Sequence, residues 1–385
     1  MSESEVIPRW WIEVGEAEIA RIAEAIRGRH ISMGPVTAAF EEAIGHYLGV
    51  AHVVCVPSGS MALTMALMAA GVGPGDEVLV PDRTWIATAT APRLLGARVV
   101  LVDVRADGLV IDESQVEERI TARTRAILPV HVNGTPAALG PLLEIAKRHG
   151  VTLIEDACQA FSSRYQGRCL GTFGRFGCFS LGLNKLLTTG QGGFVVCHDA
   201  DDARLLRRIR NQGLSGADLS ECHQISGSNF KFTDIQAAMG LAQMERLPAR
   251  VEHQRAVYRA YAAGLADIPW LELTRVDLDA GQVPLRTEYV CLHREALIEA
   301  LRRHDIIAEP QAPCLHQYGF LASDRTFPHA ERYCSTLLML PSGPEQPLAH
   351  VQRTINVIRQ VAPEIERMVG SGARGIMSSP TTVRA

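Results

Sequence analysis

The stretch Phe179-Ser180-Leu181-Gly182-Leu183-Asn184-Lys185-Leu186-Leu187-Thr188-Thr189-Gly190-Gln191-Gly192-Gly193 sets one lysine among leucines, between a serine and a glycine-rich turn. An amine and apolar flanks belong together where the amine must be neutral to attack a carbonyl. Desolvation disfavours the ammonium and lowers its pKa. Schiff-base lysines are made nucleophilic in this way. The alternative is a surface-loop lysine whose leucines pack beneath it.

Three other segments carry groups that suit such chemistry. Pro57-Ser58-Gly59-Ser60-Met61-Ala62-Leu63 follows a strand pattern and opens a nearly all-apolar helix. Small residues there leave backbone N–H groups and hydroxyls free at a helix N-terminus, which suits a phosphate. The alternative is a serine N-cap on a buried helix. Ile154-Glu155-Asp156-Ala157-Cys158-Gln159-Ala160 ends a strand, and ligands of parallel sheets sit beyond carboxyl ends. A carboxylate at that rim can keep a heteroaromatic nitrogen protonated; alternatively, Asp156 caps the next helix. Cys158 has no basic partner nearby in sequence, and the residue type is usually buried and inert. Pro81-Asp82-Arg83-Thr84-Trp85 also follows a strand, and Trp85 either stacks on a flat ligand or joins the core.

Two glycine patterns are set aside. Gly171-x-x-Gly174-x-x-Gly177 does not open a helix, and Gly71-Val72-Gly73-Pro74-Gly75 ends one, so neither meets the context of a dinucleotide site. His131 ends a strand, with no second histidine or carboxylate at metal-ligand spacing. No metal site is expected.

The elements that position these residues follow from periodicity. Helical apolar spacing runs over Glu16 to Ile26 and Val36 to Leu48. Short apolar runs then alternate with helical segments. The strands are His52 to Val56, Glu77 to Val80, Arg98 to Val102, Ala126 to Val130 and Val151 to Ile154. The helices are Met61 to Ala70, Trp85 to Leu95, Glu113 to Ile120 and Ala138 to His149. This pattern predicts an α/β fold with a mostly parallel sheet covered on both faces. Phe194 to Cys197 adds a strand. Thr233 to Ala263 reads as a long helix kinked or restarted at Pro248. A smaller α+β unit runs from about Ile268 to Arg367, with a strand Tyr289 to Leu292 and helices Arg294 to His304 and Val351 to Val361. The Ser/Gly/Thr-rich tail, 370–385, reads as disordered.

With 385 residues the chain can bury a full core and divide in two. Its 47% hydrophobic and 21% charged content is that of an ordinary globular protein. A net charge of -4 gives no sign of nucleic-acid or anionic-membrane binding. No apolar run is long enough to span a bilayer. The acidic start Met1-Ser2-Glu3-Ser4-Glu5 has no signal-peptide core. Nine scattered cysteines without a Cys-x-x-Cys pair argue for reduced thiols in a cytoplasm.

Taken together the motifs resemble the sugar aminotransferases of the DegT/DnrJ/EryC1/StrS family, from about Ile7 to Val361. In family order stand Phe40-Glu41, Tyr47-Leu48-Gly49, Pro57-Ser58-Gly59-Ser60-x-Ala62-Leu63 and Gly75-Asp76-Glu77-Val78. Thr84-Trp85-x-Ala87-Thr88, Pro129-Val130-His131, Ile154-Glu155-Asp156-Ala157-x-Gln159-Ala160 and Phe179-Ser180 with Lys185 follow. Asn229, Gln236-Ala237-Ala238, Pro328-x-Ala330-Glu331 and Leu340-Pro341 complete the set. The resemblance implies the type I fold of pyridoxal 5′-phosphate enzymes, with a seven-stranded sheet and a small C-terminal α+β domain. The expected division is 1–250 and 251–369, with 370–385 as tail.

The resemblance also implies roles. Lys185 is the Schiff-base lysine and proton shuttle, and Asp156 partners the pyridinium nitrogen. Trp85 stacks on the ring and Gln159 contacts the cofactor. Gly59, Ser60 and Ser180 form the phosphate cup. Asn229 reaches the phosphate from the neighbouring subunit of a homodimer with shared active sites. Two positions depart from the family: Gln191 replaces a glutamate and Lys231 an arginine. Lysine keeps the charge but loses bidentate recognition. Relatives with histidine at the lysine position act as dehydratases, and Lys185 argues against that. The expected reaction moves an amino group from an amino acid, L-glutamate, to a nucleotide-activated keto-sugar. The rivals are a keto-cyclitol aminotransferase using L-glutamine, a regulator that binds the cofactor without turnover, and a nicotinamide-dependent enzyme.

Overall fold

Strands that bury nearly every side chain need cover on both faces, and His52–Val56, Glu77–Pro81 and Gly193–Cys197 are of that kind. The computed structural model, which describes residues 6–215, 225–321 and 323–375, supplies that cover. Seven strands form one sheet in the order 52–56, 193–197, 176–180, 152–156, 124–127, 77–81, 98–102. The five from 176–180 to 98–102 are parallel. Strand 193–197 runs antiparallel to both its neighbours. Alternate side chains of a strand face opposite ways. Val54 and Val56 accordingly join one core with helix Gly59–Ala69, while Val53 and Cys55 join the other with helix Pro35–Leu48.

A second, antiparallel sheet has the order Leu271–Leu273, Thr287–Cys291, Leu337–Leu340, Glu309–Pro310. Its core is Tyr289, Leu338 and Leu340 against Leu297, Leu301, Ile355 and Ile358 of the flanking helices. Helix Asp234–Gly264 crosses position 250 and contributes Val257 and Tyr261 to this core.

Three readings change and one is narrowed. Glu113 to Ile120 forms two short 3-10 turns, Glu113–Gln115 and Glu117–Arg119, in place of an α-helix. Val116 is its only fully buried apolar side chain, and Arg119 turns inward to donate to the Leu101 carbonyl at 2.9 Å. Strand Thr124–Ile127 stops short of Val130, which makes only an isolated bridge to Asp156. Of the long or broken helix expected around Pro248, the structure has the long one, Asp234–Gly264, without a restart; packing on both cores carries it past the lost N–H. Helix Leu348–Gly375 takes up 370–375 of the expected tail, and 376–385 lie outside the described residues. Among the described residues each cysteine is free, and no helix is long and apolar enough to cross a membrane.

Candidate active site

Four parallel-running strands, 52–56, 77–81, 152–156 and 176–180, bring their carboxyl ends to one edge of the large sheet. A cavity of about 640 Å³ opens there. Gly59, Ser60, Trp85, Asp156, Gln159, Ser180 and Lys185 all line it. Asn229 does not. It is exposed, bridged to Asn211, and among the described residues its side chain accepts only a long 3.4 Å bond from the Lys231 N–H.

Lys185 sits in the loop after strand Phe176–Ser180. Leu186 packs on Leu247 and Val283, and Leu187 enters the main core. Leu183 instead is exposed at the cavity. Burial first, and the nearby Arg286 guanidinium second, push the Lys185 amine down to about 8. Among the described residues no carboxylate pairs with it within 4 Å, so the amine is free to react.

Asp156 ends its strand and is 4% exposed. No helix follows. Its Oδ1 accepts from the Cys158 N–H at 3.1 Å, closing a tight turn, and its Oδ2 accepts from Thr88 Oγ1 at 2.8 Å. The helix-cap alternative therefore fails, and among the described residues the carboxylate, which lines the cavity, has no cationic partner within 4 Å. Next to it, Glu155 and His131 form a wholly buried pair at 2.8 Å. His131 Nδ1 accepts the Ala137 N–H at 3.1 Å, so Nε2 carries the proton toward Glu155. Glu155 also accepts from the N–H groups of Gly171, Phe173 and Gly174. Burial raises its pKa, but these bonds and His131 outweigh that and hold the carboxyl low. The pair fixes the strand end that carries Asp156. Burial, then the Asp156 charge, push the Cys158 thiol well up, so it is not a nucleophile at neutral pH.

Ser58 caps helix Gly59–Ala69, accepting from the Met61 N–H at 3.2 Å. The helix start presses on Ser180 so closely that a Cβ at Gly59 would lie 2.7 Å from Ser180 Cβ. N–H groups of Gly59 and Ser60 and the Ser60 and Ser180 hydroxyls thus share one corner, a cradle for an anion. Trp85, 63% exposed, stands at the cavity wall with its ring uncovered. Gln159 Oε1 accepts from the Asn133 N–H at 3.2 Å. A depressed amine, an unpaired carboxylate, an anion corner and an uncovered aromatic face suit pyridoxal phosphate.

Sequence reasoning missed several residues here. Thr84 and Thr88 orient Asp156. Arg9, Arg83, Arg286, Glu309 and Gln311 complete the walls. Asn133, at φ 52, clamps Arg286 by donating to its carbonyl at 3.0 Å and accepting from its N–H at 2.7 Å. The Asn-Gly dipeptide at 133–134 was its one readable signal, since Asn tolerates that conformation.

Comparison with known proteins agrees with this geometry. The GDP-perosamine synthase of Caulobacter vibrioides is 40% identical over 235 residues, 61% of this chain and 63% of that protein, so the match spans just under two thirds of the relative's length. The S. venezuelae protein DesV, solved in complex with a ketimine intermediate, superposes with a TM-score of 0.84 at 33% identity, covering 90% of this chain and 94% of DesV. The aminotransferase TlmJ from Streptoalloteichus hindustanus gives 0.88 at 29% identity, covering 94% and 100%. Residues 13–359 match a single family description along almost the whole described chain, and by that match the protein belongs to the DegT/DnrJ/EryC1/StrS aminotransferase family.

Proposed function

We propose that the protein is a pyridoxal-phosphate-dependent aminotransferase that moves an amino group from an amino acid, L-glutamate, to a nucleotide-activated keto-sugar. The observation that carries this is one cavity shared by a lysine with its pKa near 8 and a cation-free aspartate. Sugar-directed names among the similar proteins support the acceptor class.

The chain's own residues divide the work. The Gly59, Ser60 and Ser180 corner binds the cofactor phosphate, and Trp85 covers the ring. Gln159 contacts the ring's edge, held by Asn133. Asp156, oriented by Thr88, keeps a proton on the ring nitrogen. When bound, the cofactor supplies an electron sink that stabilises negative charge at the donor α-carbon. The Lys185 amine removes the α-proton and returns it on the other side of the transfer.

The protein acts as a homodimer with shared sites, Asn229 reaching the partner's phosphate corner, and works in the cytoplasm. Its exposed position outside its own chain's cavity supports that role. The chain divides functionally near residue 250, where helix Asp234–Gly264 passes from one core to the other. Gln191 lines the cavity where the family usually carries glutamate, which keeps a keto-cyclitol aminotransferase with L-glutamine as the second reading. An absorbance spectrum tests the cofactor. Incubating the pyridoxal form with a panel of nucleotide amino-sugars tests the acceptor. Conversion by none of them, with conversion by an amino-cyclitol, would replace the first reading with the second.

A further inference from the structure

Arg83 and Arg286 both line the cavity, one from the loop after strand 77–81 and one from the segment before strand Thr287–Cys291. Their side chains are only 6% and 17% exposed. Among the described residues neither guanidinium makes a hydrogen bond. Their one shared counter-charge is Glu288, wholly buried, at 3.8 Å from Arg83 Nη2 and 4.0 Å from Arg286 Nη1. Charge-assisted hydrogen bonds are about 2.7–2.9 Å long, so both contacts are loose. Nε of each arginine and Oε2 of Glu288 lack any hydrogen-bond partner. Buried, unsatisfied ionic groups are costly, and a guanidinium offers five donors in a planar fork.

The local charge does not balance. Arg9 is already paired with Glu309 at 2.7 Å, and Gln311 Nε2 also bonds Glu288. Three guanidiniums therefore face two carboxylates. An incoming anion with two coplanar oxygens completes the set, and a carboxylate has that shape. The phosphate corner is elsewhere, at the start of helix Gly59–Ala69. Arg286 is close enough to Lys185 to depress its amine. An anion held on Arg286 thus stands beside the reacting amine, where an amino acid carries its carboxylate. The backbone of Arg286 is fixed on both sides by Asn133, which also holds Gln159.

The geometry points to Arg83 and Arg286 as the subsite for the carboxylate of the amino-acid donor, with Glu288 as the internal carboxylate that the donor displaces. This rests on the aminotransferase reading. It assigns to this chain a recognition device that the lysine at 231 does not supply. It also explains how one cavity serves two unlike substrates. When the donor's product leaves, Glu288 again covers the arginines, and an uncharged sugar ring meets no bare pair of cations.

The test uses the purified holoenzyme and glutarate, an unreactive dicarboxylate, followed by titration calorimetry, with glutamate half-reactions in parallel. Arg286→Gln should weaken glutarate binding and raise the glutamate concentration for half-maximal rate by about 10- to 100-fold, as for a lost hydrogen bond to a charged group. Arg286→Lys should fall between, having charge without the fork. Glu288→Gln should move the other way and tighten glutarate several-fold, so a folding defect cannot mimic the pattern. Half-saturation by a nucleotide amino-sugar should stay within about threefold in Arg286→Gln, since no charge-assisted bond to it is lost. Unchanged glutarate affinity in Arg286→Gln, or weaker binding in Glu288→Gln, overturns the assignment. A loss confined to the nucleotide amino-sugar overturns it too and gives the arginines to a diphosphate. Arginine-dependent glutarate binding in a protein that never shows a pyridoxal band would sink the aminotransferase reading and leave the subsite standing.

Discussion

Thr88 Oγ1 donates to Oδ2 of Asp156 at 2.8 Å, and Thr84 Oγ1 lies 3.1 Å from Thr88 Oγ1. Thr88 has one proton, and it goes to the carboxylate, so Thr84 donates to Thr88. This chain leaves Asp156 one orientation. Thr88→Val keeps the volume and removes the bond, at a cost of about 1.5–3 kcal/mol for a bond to a charged group. Turnover should fall about 10-fold or more, and the pH profile of the bound cofactor's absorbance should shift. Thr88→Ser should restore both. A Thr88→Val enzyme with wild-type rate and spectrum would show that the strand end alone orients Asp156.

Asp156→Asn tests the carboxylate itself. Asparagine keeps the shape and can still accept from Thr88, but it cannot hold a ring nitrogen protonated as a carboxylate does. Cofactor should remain bound, and the rate should drop by about 100-fold or more, the low end for a tuned acid–base partner. Steady-state turnover with cofactor content measured by absorbance decides it. A rate near wild type would reduce Asp156 to a turn residue.

Lys185 makes a pH-dependent expectation. With its amine near 8 rather than at 10.5, uptake of pyridoxal phosphate by the cofactor-free protein should speed up with pH and level off above about 8. An ordinary lysine would keep accelerating to beyond pH 10. The sign for stability follows. Between about 8 and 10.5 the unfolded chain binds the proton that the native chain has lost, so stability from this group rises with pH. Relative to Lys185→Met, the cofactor-free wild type should therefore gain stability across that window in denaturant titrations. A difference that stays flat with pH would mean the amine is not depressed.

Much of this site was legible because its parts are local. Ser58 to Ser60 and Asp156 to Gln159 each sit where a strand read from the pattern ends, which places those ends on one edge. Strand Phe176–Ser180, which carries Ser180 and leads to Lys185, is not read from the pattern, and that segment is found by its lysine among leucines. Arg83, Arg286 and Glu288 were not legible. Each is an ordinary charged residue in its own segment, and only the docking of the second sheet makes them neighbours. The Glu113 to Ile120 stretch misled for a related reason. It has polar helix formers and just enough apolar spacing, but only Val116 is a fully buried apolar side chain, with Ile120 packed half-buried against the same core, too little to hold an α-helix. At Pro248 the sequence leaves a long or a broken helix open, and tertiary packing on both sides decides for the long one.

The proposed shared-site dimer yields the most discriminating experiment. Asn229 is exposed and outside its own chain's cavity, as a residue serving a partner must be. Asn229→Asp should place a negative charge beside the partner's cofactor phosphate and weaken binding by like-charge repulsion. Lys185→Ala should be inactive for lack of its amine. When the two inactive proteins are mixed at limiting cofactor and allowed to exchange subunits, each mixed dimer has two unlike sites. One combines Lys185 from the first chain with Asn229 from the second and is intact, while its twin carries both defects. Activity should therefore return, approaching half of wild type per mixed dimer. If Asn229 acts within its own chain, every site keeps one defect and nothing returns. Differential tagging shows whether mixed dimers form, and cofactor titration of Asn229→Asp alone shows whether that variant is impaired. Confirmed mixed dimers without recovered activity would rule out the shared site.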